Sequence, residues 1–340
     1  MAAKKKSFIV AMDIGYSNTK VCYGSSDEDK VISIIPSTAA RADKFRNNFL
    51  IDPNPHDQFT KTIVDGREWY VGCPISSIEG YVREKHDGFT ESPHYRAILN
   101  SILINQPRNK IDRVVMSLPV NQYYNDRLRS ELQSTVIGTH QVTTDRTVQV
   151  LDCEIYSQPA GCFFHFVTAK ASHEDLDVVE TMPVIFLDIG YYSIDLEYFD
   201  KSTPHKIKSF SSQNAIYRVL RKTCDQIGQT FNQPCFADRL EEALQRNEDE
   251  LQVGNRFIKF DQYLSKSASQ TAKDTIVKIN NSSSELDTSP PLIVTTGGGA
   301  KLFESSLINA FPESKIVTLE ITSIAEGLWE KGYVSKNCRA

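Results

Sequence analysis

Two stretches of the chain share one grammar: Phe8–Gly24, FIVAMDIGYSNTKVCYG, and Pro183–Phe199, PVIFLDIGYYSIDLEYF. Each is an apolar run that ends in Asp-Ile-Gly-Tyr, passes through a polar turn and returns as an alternating run. That pattern reads as a strand, a tight turn and a second strand. Its occurrence twice predicts two similar halves, each opening on its own hairpin. A chain of 340 residues has room for two domains of ordinary size.

The rest of the sequence alternates strand and helix patterns, which points to an α/β protein. SIIPS (33–37) reads as a third strand after the first hairpin. FTKTIVDGREWYVG reads as a hairpin turned at Asp65-Gly66, a favoured turn dipeptide. YRAILNSILIN is helical by spacing. DRVVMSLPV is a buried strand stopped at Pro119, since proline cannot donate to a central ladder. YYNDRLRSELQSTV is a helix, RTVQVLDCEIYSQ is strand material, and PAGCFFHFVTAK is a helix with proline in its first turn. The acidic stretch ASHEDLDVVETM is the expected linker. AIYRVLRKTCDQIGQTF places Ile216, Val219, Leu220, Cys224, Ile227 and Phe231 on one helical stripe. FADRLEEALQRN and FDQYLSKSASQTAKDTIVKI are further helices. LIVTTGGGAKLFESSLINAF is strand, triple-glycine turn and helix, and IAEGLWEKGYV is a short closing helix.

Composition excludes some classes. A net charge of −5 does not mark the chain as a whole as a nucleic-acid binder, which leaves room only for a local basic patch. The lysines of MAAKKKS precede an apolar run too short for a signal peptide, and no run is long enough to span a bilayer. The seven cysteines are odd in number and lack C-x-x-C spacing. They predict core thiols in a reducing cytoplasm rather than disulfides or zinc ligands.

The two turns suit an anion. Glycine lets the backbone approach a ligand closely, and successive amides form a nest for phosphate oxygens. Gly15, Ser17, Asn18 and Thr19 in the first turn, and Gly190 and Ser193 in the second, are the candidates, with Lys20 adding positive charge. Asp13 and Asp188 would repel phosphate directly but fit a magnesium ion held mostly through water. One Asp-x-Gly could be no more than a tight turn; two in matching contexts favour a shared ligand. Gly297, Gly298 and Gly299 add a glycine turn before a helix, a common approach to a nucleotide.

With these motifs the sequence resembles the actin, sugar-kinase and heat-shock-chaperone ATPase superfamily. Within it the chain resembles bacterial plasmid-segregation actins of the ParM/StbA type. DIGYSNTKV resembles the first phosphate loop, FLDIGYYSIDL the second (Asp188, Gly190, Ser193, Asp195), IVTTGGGAKL the adenosine segment and IAEGLWEKG the closing helix. DRVVMSLPVNQYYNDR resembles the segregation branch in particular. The resemblance implies an actin-like fold with two ribonuclease-H-like domains flanking a nucleotide cleft: residues 1–170 with a C-terminal helix at 325–340, and residues 178–324. It implies binding of ATP or GTP with magnesium and slow hydrolysis. Gln158 would position the attacking water, with Glu154 as the alternative. It further implies head-to-tail filaments of the chain itself and a DNA-bound adaptor of the ParR type. Direct nucleic-acid or membrane contact is not expected, and the place is the bacterial cytoplasm. In SFSSQNAIY, Gln213 and Asn214 stand where the family often has glycine. Arg239 and Glu242 are guesses for the adenine base.

Other functions of the same superfamily compete. A sugar-kinase-like enzyme would need a general-base aspartate, and Asp112, Asp126 and Asp152 lack a supporting pattern. A heat-shock chaperone would need a longer chain. A cell-division or pilus scaffold is expected to carry a membrane helix or partner peptide, and the tail KGYVSKNCRA is short and polar.

Overall fold

A computed structural model describes residues 6–45, 59–80, 88–213, 215–284 and 289–337. Asn214 and Cys338 lie outside the described residues. The chain divides into two compact units, residues 1–170 with 322–340, and residues 171–321.

In chain order the first unit contains β1 (Ile9–Ile14), β2 (Asn18–Gly24), β3 (Val31–Pro36), β4 (Ala39–Arg41), β5 (Thr60–Val64), β6 (Arg67–Val71), α1 (Pro93–Ile104), β7 (Lys110–Ile111), β8 (Arg113–Leu118), α2 (Val120–Tyr123), α3 (Asp126–Val136), β9 (Gly138–Gln141), β10 (Thr147–Val150), β11 (Cys153–Ser157) and α4 (Gln158–His165). Its main sheet has the order β11-β8-β1-β2-β3. β1 is antiparallel to β2 and parallel to β8, and every residue of β1 and β8 is buried. Central strands covered on both faces need such continuous apolar runs. The even residues of β1, Val10, Met12 and Ile14, join a core with Ile98, Leu99 and Ile102 of α1. The odd residues face the other way, toward the closing helix.

The second unit contains α5 (His173–Thr181), β12 (Pro183–Ile189), β13 (Ile194–Asp200), β14 (Thr203–Pro204), β15 (Phe210–Ser212), α6 (Ile216–Phe231), α7 (Ala237–Gln245), β16 (Glu250–Val253), β17 (Arg256–Lys259), α8 (Asp261–Ser282), β18 (Leu292–Thr296), α9 (Ala300–Ala310) and β19 (Lys315–Thr318). The closing helix, α10 (Ser323–Asn337), returns to the first unit and packs on α4, β1 and β8. The second sheet repeats the first. β12 is antiparallel to β13 and parallel to β18, β18 is parallel to β19, and β15 lies antiparallel on β13 as β3 does on β2. The duplicated sequence pattern is therefore a duplicated sheet topology.

Four expectations change. ASHEDLDVVETM is a helix, α5, started by a capping box in which Ser172 and Asp175 satisfy each other's amides. It packs on β12 and β13, so the acids that suggested a linker are its first turn, where the helix dipole favours negative charge. RTVQVLDCEIYSQ splits between two sheets, β10 pairing with β7 and β9 while β11 joins β8. The helix of YYNDRLRSELQSTV starts later than expected, at Asp126, where Asn125 caps α3 by accepting from the Leu128 amide, and Tyr123 ends the preceding short helix α2. The closing helix is longer than its apolar pattern, at 15 residues. The β16–β17 hairpin is an addition that the sequence reading left blank.

Candidate functional site

Each hairpin turn is built the same way. In the first, Ile14 pairs with Thr19 and Asp13 with Lys20; in the second, Ile189 pairs with Ile194 and Asp188 with Asp195. A Cβ on Gly15 would stand 2.9 Å from the Asn18 carbonyl oxygen, and one on Gly190 would stand 3.0 Å from that of Ser193. The Gly190 amide donates to the Ser193 carbonyl at 3.0 Å. Both glycines are thus required by how closely the turn folds back on itself.

Around the first turn, the buried Asp13 carboxylate is fully committed. Oδ1 accepts from Ser117 Oγ (2.7 Å) and Gln158 Nε2 (3.0 Å), while Oδ2 accepts from Lys20 Nζ (3.1 Å). Burial pushes this carboxyl's pKa up. The Lys20 charge and the hydrogen bonds from Gln158, Ser117 and Lys20 outweigh it and hold the group below the usual carboxylate value. Gln158 arrives here because β11 is parallel to β8 and ends at Ser157, whose side chain caps α4 by accepting from the Ala160 amide at 3.1 Å. With Nε2 turned to Asp13, Gln158 Oε1 is buried without a hydrogen-bond partner. An orphaned acceptor of this kind suits a water molecule.

Ser117 is the residue that sequence reasoning missed. It is the last but one residue of β8, and only the parallel register of β8 beside β1 brings it to Asp13. Glu154 is not brought there. It lies in an ion pair with Arg113 (2.5 Å) and accepts from the Tyr156 hydroxyl (3.0 Å). The Thr19 hydroxyl is buried and shares a hydrogen bond with Ser37 Oγ (2.8 Å), so it braces β2. The Ser17 carbonyl accepts from the Ser37 amide at 2.9 Å, and Asn18 Nδ2 donates to Ser17 Oγ at 3.4 Å.

Around the second turn, Asp188 and Asp195 are both buried. Ser193 Oγ donates to Asp195 at 2.6 Å, and Ser211 of β15 donates to its other oxygen. The triple glycine closes on this loop. The Gly299 amide donates to the Ile189 carbonyl at 2.9 Å, and a Cβ on Gly297 would fall 2.3 Å from Asp188 Oδ1. Gly297 also has φ +94°, a conformation that favours glycine. Gly299 has its own constraint, since a Cβ there would meet Ile216 at 2.4 Å. Gly298 meets only Ile321, at 3.8 Å. The first turn of α6 completes the arrangement, with the Tyr217 amide donating to the Tyr191 carbonyl at 2.8 Å. Asp188, Gly190, Ser193, Gly297 and Gly299 are therefore one cluster in the second unit, as Asp13, Gly15, Lys20, Ser117 and Gln158 are in the first.

Arg239 lies on α7 with its guanidinium over the Phe236 ring, and Glu242 is 3.9 Å from Arg246. The three aspartates weighed as a kinase base are engaged elsewhere. Asp112 accepts from the Phe8 amide, Asp126 pairs with Arg129, and Asp152 pairs with Arg113. Among the described residues no group of three or more His, Cys, Asp or Glu is placed to hold a metal, and no helix is long and apolar enough to cross a membrane.

Comparisons with known proteins agree with this architecture. Residues 11–161 match the family model for the N-terminal domain of actin-like proteins. No relative among curated proteins matches the sequence. Among solved structures, a non-polymerisable quadruple mutant of the pCBH ParM is similar at 15% identity and a TM-score of 0.72, covering 96% of this chain and 99% of that one. The archaeal actin homologue Ta0583 in complex with ADP is 15% identical with a TM-score of 0.70, covering 98% of this chain and all of that one (100%). A 15-stranded ParM filament from Clostridium botulinum is 16% identical with a TM-score of 0.69, covering 96% and 99%. The chain thus has the actin-like fold across 96% of its length, and residues 11–161 are similar to the N-terminal domain of actin-like proteins.

Proposed function

We propose that this protein is an actin-like ATPase that assembles into filaments when it holds nucleotide, and that it segregates or positions plasmid DNA through a DNA-bound adaptor of the ParR type. The observation that carries this reading is the repeated turn, in which Gly15 and Gly190 close on the carbonyls of Asn18 and Ser193 below a buried aspartate. A turn of this kind offers amides to the phosphate oxygens of ATP or GTP. The ADP complex of Ta0583 supports nucleotide binding, and the ParM filament supports self-association. An overall charge of −5 gives the chain little pull on DNA phosphates, which is why an adaptor is part of the proposal. The engagement of Asp112, Asp126 and Asp152 elsewhere weighs against a kinase.

A buried aspartate beside a glycine turn suits magnesium held through water. Asp188 is the carboxylate for it; Asp13, already neutralised by Lys20, would act through water alone. The metal would supply charge neutralisation at the phosphates. Gln158 would position the attacking water through Oε1, because Asp13 holds its Nε2. Calorimetric titration with magnesium and ATP tests the reading. Wild type should bind, and Asp188→Ala should bind at least about tenfold more weakly while folded, since its charge contact is lost. Equal affinity of the two would remove Asp188 from the site, and no binding by wild type would overturn the proposal.

A further inference from the structure

β3 closes one edge of the main sheet of the first unit, and among the described residues it pairs only with β2. Its sequence, Val-Ile-Ser-Ile-Ile-Pro, has no charged residue. Ile35 packs on the core, whereas Val31, Ile32 and Ile34 are 42%, 41% and 47% exposed. Native proteins blunt sheet edges with charge, proline or a covering element. Here only Pro36 does so, at one end, and the rest is mostly β-branched residues that suit a strand neighbour. The ladder with β2 fixes which backbone groups point outward. The Ser37 amide donates to the Ser17 carbonyl at 2.9 Å, and the same register pairs Thr19 with Ile35, Val21 with Ser33 and Tyr23 with Val31. Hydrogen-bonded positions alternate along an antiparallel strand. Val31, Ser33 and Ile35 therefore turn their backbone groups to β2, while Ile32, Ile34 and Pro36 turn theirs to the free edge. Proline has no amide to leave unpaired, which suits that outward position.

We propose that β3 is a self-association edge, on which a second copy of this chain lays its own β3 antiparallel about a two-fold axis at Ser33. A two-fold contact needs a patch that is its own complement, and this edge is one. With Ser33 opposite its counterpart, Ile32 of each copy lies opposite the partner's Ile34. The outward amides and carbonyls of these two residues then meet in both directions. The isoleucines of both copies share one face of the joined sheet, because residues two apart on a strand, and residues opposite one another, point the same way. No charge on either strand opposes the approach. The exposed side chains Val31, Ile32 and Ile34 fall far short of the ~20–30 residues a side of a stable interface. Free chains therefore meet here transiently, and the contact strengthens where copies are already arrayed and many such edges act together. It needs no nucleotide, and it is separate from the head-to-tail contacts of the proposed function.

The test uses the full chain carrying Ser33→Cys, oxidised with copper phenanthroline in the absence of nucleotide, with dimers mapped by peptide mass spectrometry. Residues opposed in a non-hydrogen-bonded pair have Cα atoms about 4.5 Å apart, within reach of a disulfide. Ser305→Cys, at an exposed position of α9, sets the collisional rate. The link between two position-33 thiols is expected to form at least about tenfold faster than the link between two position-305 thiols, because the paired edges raise the local thiol concentration. Adding Ile32→Lys to the Ser33→Cys chain is expected to return it to the collisional rate, since each copy then places an ammonium against the partner's Ile34. The two single variants decide alone if the double variant does not fold. Without nucleotide in the reaction, a failure of nucleotide binding or nucleotide-dependent assembly is read separately, by titration and pelleting. Equal rates at positions 33 and 305, the result expected of an edge meant for a foreign strand, would overturn the proposal. So would a position-33 link that Ile32→Lys leaves unchanged in a folded chain.

Discussion

Asp13 shows how much one residue organises. It sits in a strand buried along its whole length, where a bare carboxylate would be unstable, and three donors from three different elements compensate it. The Asp-x-Gly pattern and Lys20 were readable in the sequence because they are neighbours on one hairpin. Ser117 was not, because a lone serine near a strand end carries no local signal and its role exists only through strand register. The orientation of Gln158 was likewise hidden, although its position after a strand and before a helix was readable. If Gln158 positions water, Gln158→Ala should lower phosphate release by about tenfold or more while nucleotide still binds; a release assay beside a binding titration checks this. Acid sensitivity gives a second check. The folded pKa of Asp13 is depressed, so its contribution to stability is full above the unfolded value, about 4, and is lost as pH falls through the lower folded value. The stability advantage of wild type over Asp13→Asn, from urea midpoints, should therefore shrink from pH 7 to strongly acid pH.

At the scale of elements, glycines govern the contact between α4 and α10. A Cβ on Gly327 would fall 2.0 Å from the Gly161 carbonyl oxygen and 2.5 Å from the His165 amide, and one on Gly161 would fall 3.0 Å from the Ile324 carbonyl. These partners are backbone, which cannot rotate away as a side chain can. Gly327→Ala should cost about 1–3 kcal/mol or more in stability, a shift readable as a lower urea midpoint. His165 and Glu330, paired at 3.1 Å across the same contact, would be pushed apart with it. The sequence announced helices at both places but not their meeting, since the two glycines are far apart along the chain. The errors at this scale have separate causes. α5 is short, its buried residues are few, and its capping acids resemble a solvated linker. The β10–β11 run is continuous in pattern, and only the turn at Leu151-Asp152 passes it from one sheet to the other.

For the molecule as a whole, the repeat of the hairpin was the most informative signal, and it held because the same strand patterning in both halves builds the same topology. The second unit's β12, β13, β15, β18 and β19 take the places of β1, β2, β3, β8 and β11. A surface for head-to-tail self-association would leave no such trace, because protomer contacts use ordinary exposed residues in no fixed local pattern. Under the proposed function, nucleotide state would control assembly, through contacts that repeat head to tail and do not close. The direct measurement is the critical concentration from light scattering and pelleting, taken over a protein dilution series with ATP, with a slowly hydrolysed analogue and with ADP. A defined threshold is expected with ATP and with the analogue, and a threshold higher by about tenfold or more with ADP. A chain that stays monomeric under all three, or that assembles at the same concentration whatever nucleotide is present, would contradict it.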